Sequence, residues 1–204
     1  MNEPQIERAG SARPEDVEGF LKYVLRRSWA LFIAEPLVYV LASVAVVLLG
    51  LVTLGILAGP LSVGMVLMVR KHLHGEQPQI GDIFAGMPHF VPALLTMLII
   101  AVGISIGATL FVLPGVLVGV ICAFAFHHIA YCNAGVGDAL KASFNIIKDN
   151  AANALVLLVI LGVLMSIGSS IVLGSLLTTP FTAIATTVAY ERFTGAAAPA
   201  DSAA

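Results

Sequence analysis

The chain has 204 residues, of which 59% are hydrophobic and 11% charged, with a formal net charge of −2 and a mean hydropathy of +0.99. Soluble domains carry roughly a quarter charged residues, so this composition specifies an integral membrane protein. Without a long basic block it gives no electrostatic footprint for nucleic acid.

In chain order, residues 1–13 read as a disordered cytoplasmic tail, with nothing that resembles a cleavable signal peptide. Residues 14–28 predict an amphipathic helix on the membrane surface. Pro14 opens it, Glu15, Asp16 and Glu18 occupy its first turn, and Val17, Phe20, Leu21, Val24 and Leu25 form one apolar stripe. Its cations Lys22, Arg26 and Arg27, with Arg70 and Lys71 further on, are candidate contacts to lipid headgroups.

Beyond that start, three runs lack Asp, Glu, Lys and Arg: Pro36 to Val69 (34 residues), Ile83 to Gly137 (55) and Asn150 to Tyr190 (41). About 20 apolar residues cross a bilayer, so each run with its flanks accommodates two crossings and a turn. Helix breakers mark the expected turns at Gly59-Pro60, Pro114-Gly115 and Thr178-Thr179-Pro180. The predicted fold is all-α: a polytopic membrane bundle over 14–194, with about six transmembrane helices in hairpins 29–72, 91–132 and 152–192. The first hairpin is the least defined, because Gly50, Gly55 and Gly59 blur its turn, and a re-entrant segment is the alternative there. Residues 195–204 read as a second disordered tail.

All ten Lys and Arg lie before, between or after the hairpins and none at a tip. Cations in short loops favour the cytoplasm, so both termini are expected there. Trp29, Tyr131 and Tyr190 fall at the charged helix ends, where aromatic belts sit. The stretches Ile80-Gly81-Asp82-Ile83-Phe84-Ala85-Gly86 and Val136-Gly137-Asp138-Ala139-Leu140-Lys141-Ala142 look alike, each with an Asp placed to cap a short surface helix before the next hairpin. With residues 14–28 they suggest a threefold repeat of surface helix and hairpin.

Gly59-Pro60 with Gly64, Gly75, Asp82-Ile83-Phe84, Leu113-Pro114-Gly115, Asp138-Ala139-Leu140-Lys141-Ala142-Ser143 and the closing Ala189-Tyr190-Glu191-Arg192 come in an order that resembles the small six-helix bacterial membrane proteins of uncharacterised function. The membrane domain fused to some glycerophosphoryl diester phosphodiesterases is related to that group. The resemblance spans roughly residues 17–195 and implies the fold and the bacterial inner membrane. It transfers no catalytic residue, because the phosphodiesterase chemistry belongs to a separate soluble domain.

Glu35, followed by Pro36, is the one charge-capable side chain placed within an apolar span. Intramembrane carboxylates are costly and so are functional candidates. It could equally snorkel to water, pair with Arg26 or Arg27, or line a proline kink. His127 and His128 are expected at a similar depth, which would allow an intramembrane polar cluster of Glu35 with one of them for proton relay or a metal. His72, His74 and His89 read as interfacial. No paired-cysteine, His-Glu-x-x-His or Gly-x-Ser-x-Gly motif is present, so neither a cofactor nor a catalytic site is expected. Cys122 and Cys132, about 15 Å apart on one helix, are too distant to bridge, and Cys132 sits where acylation is conceivable.

Gly103 and Gly107, Gly115 and Gly119, and Gly162, Ser166 and Ser170 recur at four-residue spacing. In lipid, small residues let helix backbones approach, so these read as packing faces, with a homo-oligomer contact as the more specific version. The functional expectation is a non-enzymatic subunit that organises lipid or a larger membrane complex. The alternative is a transporter or permease subunit for protons or a small solute that uses Glu35 and His127 or His128.

Overall fold

The computed structural model describes residues 16–110, 112–169 and 172–196. The described residues form helices and turns without a strand: α1 (Val17–Ala34), α2 (Pro36–Val52), α3 (Ala58–Leu73), a 3-10 segment (Ile80–His89), α4 (Phe90–Leu110), α5 (Val112–Ile121), α6 (Ala125–Cys132), α7 (Val136–Asp149), α8 (Ala151–Ser169) and α9 (Val172–Thr194). The chain is an all-α membrane protein. Three stretches are long and apolar enough to cross a bilayer: Ile80–Thr109, Gly115–Cys132 and Ala151–Gly168. A fourth results if α1 and α2, bent by 92°, are counted as one span. The expected tail 1–13, Pro14 and all of the second tail beyond Ala196 lie outside the described residues.

The surface helix expected at 14–28 does not stop at Ser28. It runs unbroken to Ala34, and the chain then bends at Glu35 because Pro36 cannot donate a backbone hydrogen bond to α1 but is pre-set to start α2. The span expected from residue 29 is thereby split. Nor does α1 lie alone on the surface: Phe20, Val24, Ser28 and Leu31 are buried, and Phe20 stacks on Phe193 of α9 at 4.9 Å.

Of the three prolines expected at turn tips, Pro60 and Pro114 stand in the first turns of helices instead. The first turn occupies residues 53–57, where Leu54 (φ 52°) and Gly55 (φ 87°) adopt left-handed backbone, and Pro60 falls in the first turn of α3. Pro92 and Pro114 hold the same position in α4 and α5. The first amides of a helix have no intrahelical acceptor, so a missing N–H costs nothing there. Pro180 lies inside α9 and the α8–α9 junction lies outside the described residues.

With 16 residues, α3 is about 24 Å long, yet it forms the centre of the bundle: Leu61, Val63, Met68 and Val69 are fully buried. The 3-10 segment locks against it. A Cβ on Gly64 would strike the Ile83 carbonyl, one on Gly86 the Pro60 carbonyl, and one on Gly59 would lie 2.6 Å from the Ala93 carbonyl. Lys71 reaches Asp82 at 3.1 Å to close the end of this pair.

The presumed repeat divides at its two Asp residues. Asp82 accepts the Gln79 amide at 2.8 Å in a capping box, and its segment continues directly into α4. Asp138 is exposed in the first turn of α7 and makes no capping hydrogen bond. In α7 the telling residue is Ser143. Its hydroxyl donates to the Ile121 carbonyl at 2.6 Å and accepts the Phe124 amide at 3.0 Å, serving the backbone groups freed where α5 breaks before α6. Such a break inside an apolar stretch is tolerated when protein covers it.

Candidate functional site

The polar side chains collect where the C-terminal ends of α3, α6 and α9 meet α1 and α2. Asn133, with φ 52°, ends α6 in left-handed backbone and donates to the Ile129 carbonyl at 2.9 Å, so that Tyr131 and Cys132 remain in the last turn facing α9. Tyr190 and Glu191 occupy α9 opposite them and are 1% and 5% exposed.

The Tyr131 hydroxyl donates to Glu191 Oε1, so the buried carboxylate has a partner. The Arg70 guanidinium lies 4.5 Å over the Tyr131 ring, and the charges of His74, Arg70 and Arg27 act on Glu191. Tyr190 packs on Tyr131 at 5.0 Å and on His127 at 5.4 Å, and its hydroxyl is 2.9 Å from His128 Nδ1. His127 Nε2 is 3.3 Å from Thr187 Oγ1, whose proton goes to the Ala183 carbonyl at 2.7 Å.

A second group sits at the α1–α2 bend. The buried Tyr39 hydroxyl is 2.9 Å from His72 Nδ1, and the Glu35 charge acts on both residues. The structure therefore gives Glu35 the neighbours Tyr39 and His72, while His127 and His128 belong to the Tyr190 group on α9. Among the described residues no hydrogen bond or ion pair joins Glu35 to either histidine. Nor, among the described residues, do three His, Cys, Asp or Glu side chains gather as a metal-holding group. Cys122 and Cys132 are both free thiols.

The five candidate lipid contacts differ among themselves. Lys22 pairs with Glu18 at 2.6 Å, both 71% exposed, and Arg26 is exposed. Arg27, Arg70 and Lys71 are half-buried against the protein. The small residues also divide. A Cβ on Gly103 would meet Val118 Cγ1 at 3.0 Å and one on Gly115 the Ala108 amide at 2.9 Å, with Gly119 against Ile104, so these line the α4–α5 contact; Gly107 is buried. Gly162 and Ser166 are exposed with open space at Gly162, and Ser170 lies outside the described residues. The close α8–α9 approach uses Gly168 and Gly174 instead.

Tyr39, Glu191, Thr187 and Ser143 escape a reading of the chain by charge-free runs. Glu191 stands just beyond such a run and so counts as a surface charge; its one signal is the adjacent Tyr190, an aromatic at a helix end beside an acid. The arrangement as a whole is a set of paired hydrogen bonds between helix ends, suited to fixing α3, α6 and α9 together and to shifting protons locally. Comparison with protein-family models, curated proteins and solved structures yields no match to this chain.

Proposed function

We propose that this is a non-enzymatic multi-pass protein of the bacterial cytoplasmic (inner) membrane, with both termini in the cytoplasm, that serves as an accessory, scaffold or lipid-organising subunit. The observation that carries this reading is the contrast between closed polar pairs inside and wide apolar faces outside. Tyr131 with Glu191, Tyr190 with His128 and Tyr39 with His72 answer one another, while Leu37 and Leu51 of α2, Val102 and Ile106 of α4, and Val159 and Ile167 of α8 point outward. Such faces suit lipid or the helices of a partner. The orientation follows from the Lys and Arg distribution.

The rival reading, a transporter or permease subunit for protons or a small solute, rests on Glu35 at the bend between two helices, acting on Tyr39 and His72. Two measurements separate the readings. Extraction of the full chain from native membranes into polymer nanodiscs, followed by mass analysis, should recover a stable companion, a homo-oligomer or a retained lipid shell. Proton or solute flux in reconstituted vesicles that vanishes in Glu35→Gln would overturn the scaffold reading and establish the rival.

A further inference from the structure

The last turn of α3 carries neighbouring cations with unequal fates. Lys71 is matched by both oxygens of Asp82 at 3.1 Å. Arg70 rests on the Tyr131 ring and acts on the buried Glu191 carboxylate from beyond ion-pair distance; among the described residues it enters no salt bridge, so the edge of its guanidinium is open to a further anion. His74 Nδ1 is 2.7 Å from the Arg70 carbonyl. A carbonyl only accepts, so Nδ1 carries the proton and the imidazole is held in one orientation beside Arg70. These three side chains, with Leu67 and Glu76, line an open cavity of ≈ 340 Å³.

Each wall has a consequence for what fits. A planar guanidinium with a free edge meets two oxygens of one phosphate with parallel donors in a fixed fork, a geometry that the rotatable donors of an ammonium do not pre-set. Stacking on Tyr131 fixes that plane, so little side-chain freedom remains to be lost on binding. Leu67 adds an apolar wall on the side that continues into the helix. The exposed Glu76 at the rim opposes a doubly charged phosphomonoester and tolerates a singly charged phosphodiester.

We propose that this cavity binds a phosphodiester oxyanion, with Arg70 as the two-point anchor, His74 and Lys71 flanking it, and an anionic phospholipid headgroup as its source in the membrane. Basic pockets among helices at a membrane surface are a recurrent way of holding such headgroups. The proposal deepens the lipid-organising reading and rests on the membrane placement of this face, but it does not require the scaffold role.

The test uses the full chain in nanodiscs of equal parts phosphatidylcholine and phosphatidylglycerol, with retained lipid counted by native mass spectrometry. Wild type should retain phosphatidylglycerol over phosphatidylcholine. Arg70→Gln and His74→Gln should each lower that preference, Arg70→Gln by about fivefold, the effect of losing one cation beside an anionic surface. Lys148→Gln, on the exposed face of α7, should not. His74→Gln guards against a fold defect in Arg70→Gln, and circular dichroism checks both. Inorganic phosphate that displaces the lipid would show that soluble phosphate also occupies the oxyanion site; failure to displace it would assign the site to lipid alone. Equal retention of the two lipids by wild type, or an undiminished preference in both variants, would overturn the proposal. A stable companion protein found in either case would leave the scaffold reading standing.

Discussion

Helices α3 and α8 are built on opposite principles. α3 has 16 residues and ends in Arg70, Lys71 and His72, yet its Leu61, Val63, Met65, Val66, Met68 and Val69 are all buried. α8 has 19 residues with no charge, and its Leu155, Val159, Val163 and Ile167 face outward at 50% exposure or more. In water the more apolar helix would be the inner one. In lipid, hydrocarbon gains nothing by leaving hydrocarbon, and association depends on how closely backbones approach and which polar groups pair. The glycines bear this out: Gly59, Gly64 and Gly86 bring α3 against its neighbours with no space for a methyl group, whereas nothing lies within 4 Å of a Cβ on Gly162.

The sharpest way to break this comparison is Gly64→Ala. The added carbon would meet the backbone carbonyl of Ile83, which cannot rotate away as a side-chain end could. The expected loss is about 3 kcal/mol, the upper part of the overpacking range, read as a fall in folded yield and in the denaturant midpoint in detergent. An unchanged midpoint would refute the interlock of α3 with the 3-10 segment.

Tyr131→Phe comes next. It removes the donor to a carboxylate that is 5% exposed and leaves the ring beneath Arg70 in place. A lost hydrogen bond to a charged group costs about 2 kcal/mol. Since only the hydroxyl changes, a double-mutant cycle with Glu191→Gln should show strong coupling; additive effects would mean that the α6–α9 contact rests on packing alone. Ser143→Ala should cost about 1 kcal/mol. Two backbone groups at the α5–α6 break lose their partner, but in membranes such groups find substitutes. Faster amide exchange confined to residues around 121–125 would identify the site of the loss.

What was legible in the chain follows the same division. The all-α membrane fold and the apolar stretches that become α4 and α8 could be read directly, because hydropathy records the surrounding solvent. Pro36, Pro60, Pro92 and Pro114 all stand in the first turn of a helix, whereas the sequence alone suggests turn tips at Pro60 and Pro114 and at most a kink at Pro36: a proline marks a place where an amide is not needed, and a helix's first turn meets that condition as well as a loop does. Burial within the bundle was not legible. It depends on which glycine faces which carbonyl, and Gly64 and Gly162 look the same without a neighbour. The polar site was half legible for a similar reason. Glu35, His127 and His128 stood out for their depth, but the 92° bend after α1 sends Glu35 toward Tyr39 and His72, and the partners of the histidines come from α9, some 60 residues away in the chain.

The smallest effect is the most informative about what covers the outer faces. Gly162 lies in mid-helix on the open side of α8, beside Ser166, whose hydroxyl returns to the Gly162 carbonyl at 2.9 Å. For the chain by itself, Gly162→Ala adds a methyl group to open space and replaces a poor helix former, so stability should hold or rise by up to about 1 kcal/mol. That outcome is expected in detergent and in nanodiscs holding a single copy. In native membranes the same variant discriminates between lipid and protein on this face. Acyl chains rearrange around one methyl group, whereas a partner helix seated on a glycine does not, so a lipid-covered face leaves the mass of the extracted species unchanged and a protein-covered face loses its companion. An intact chain whose assembly alone is disrupted would therefore turn the open side of α8 from a solvent boundary into an interface.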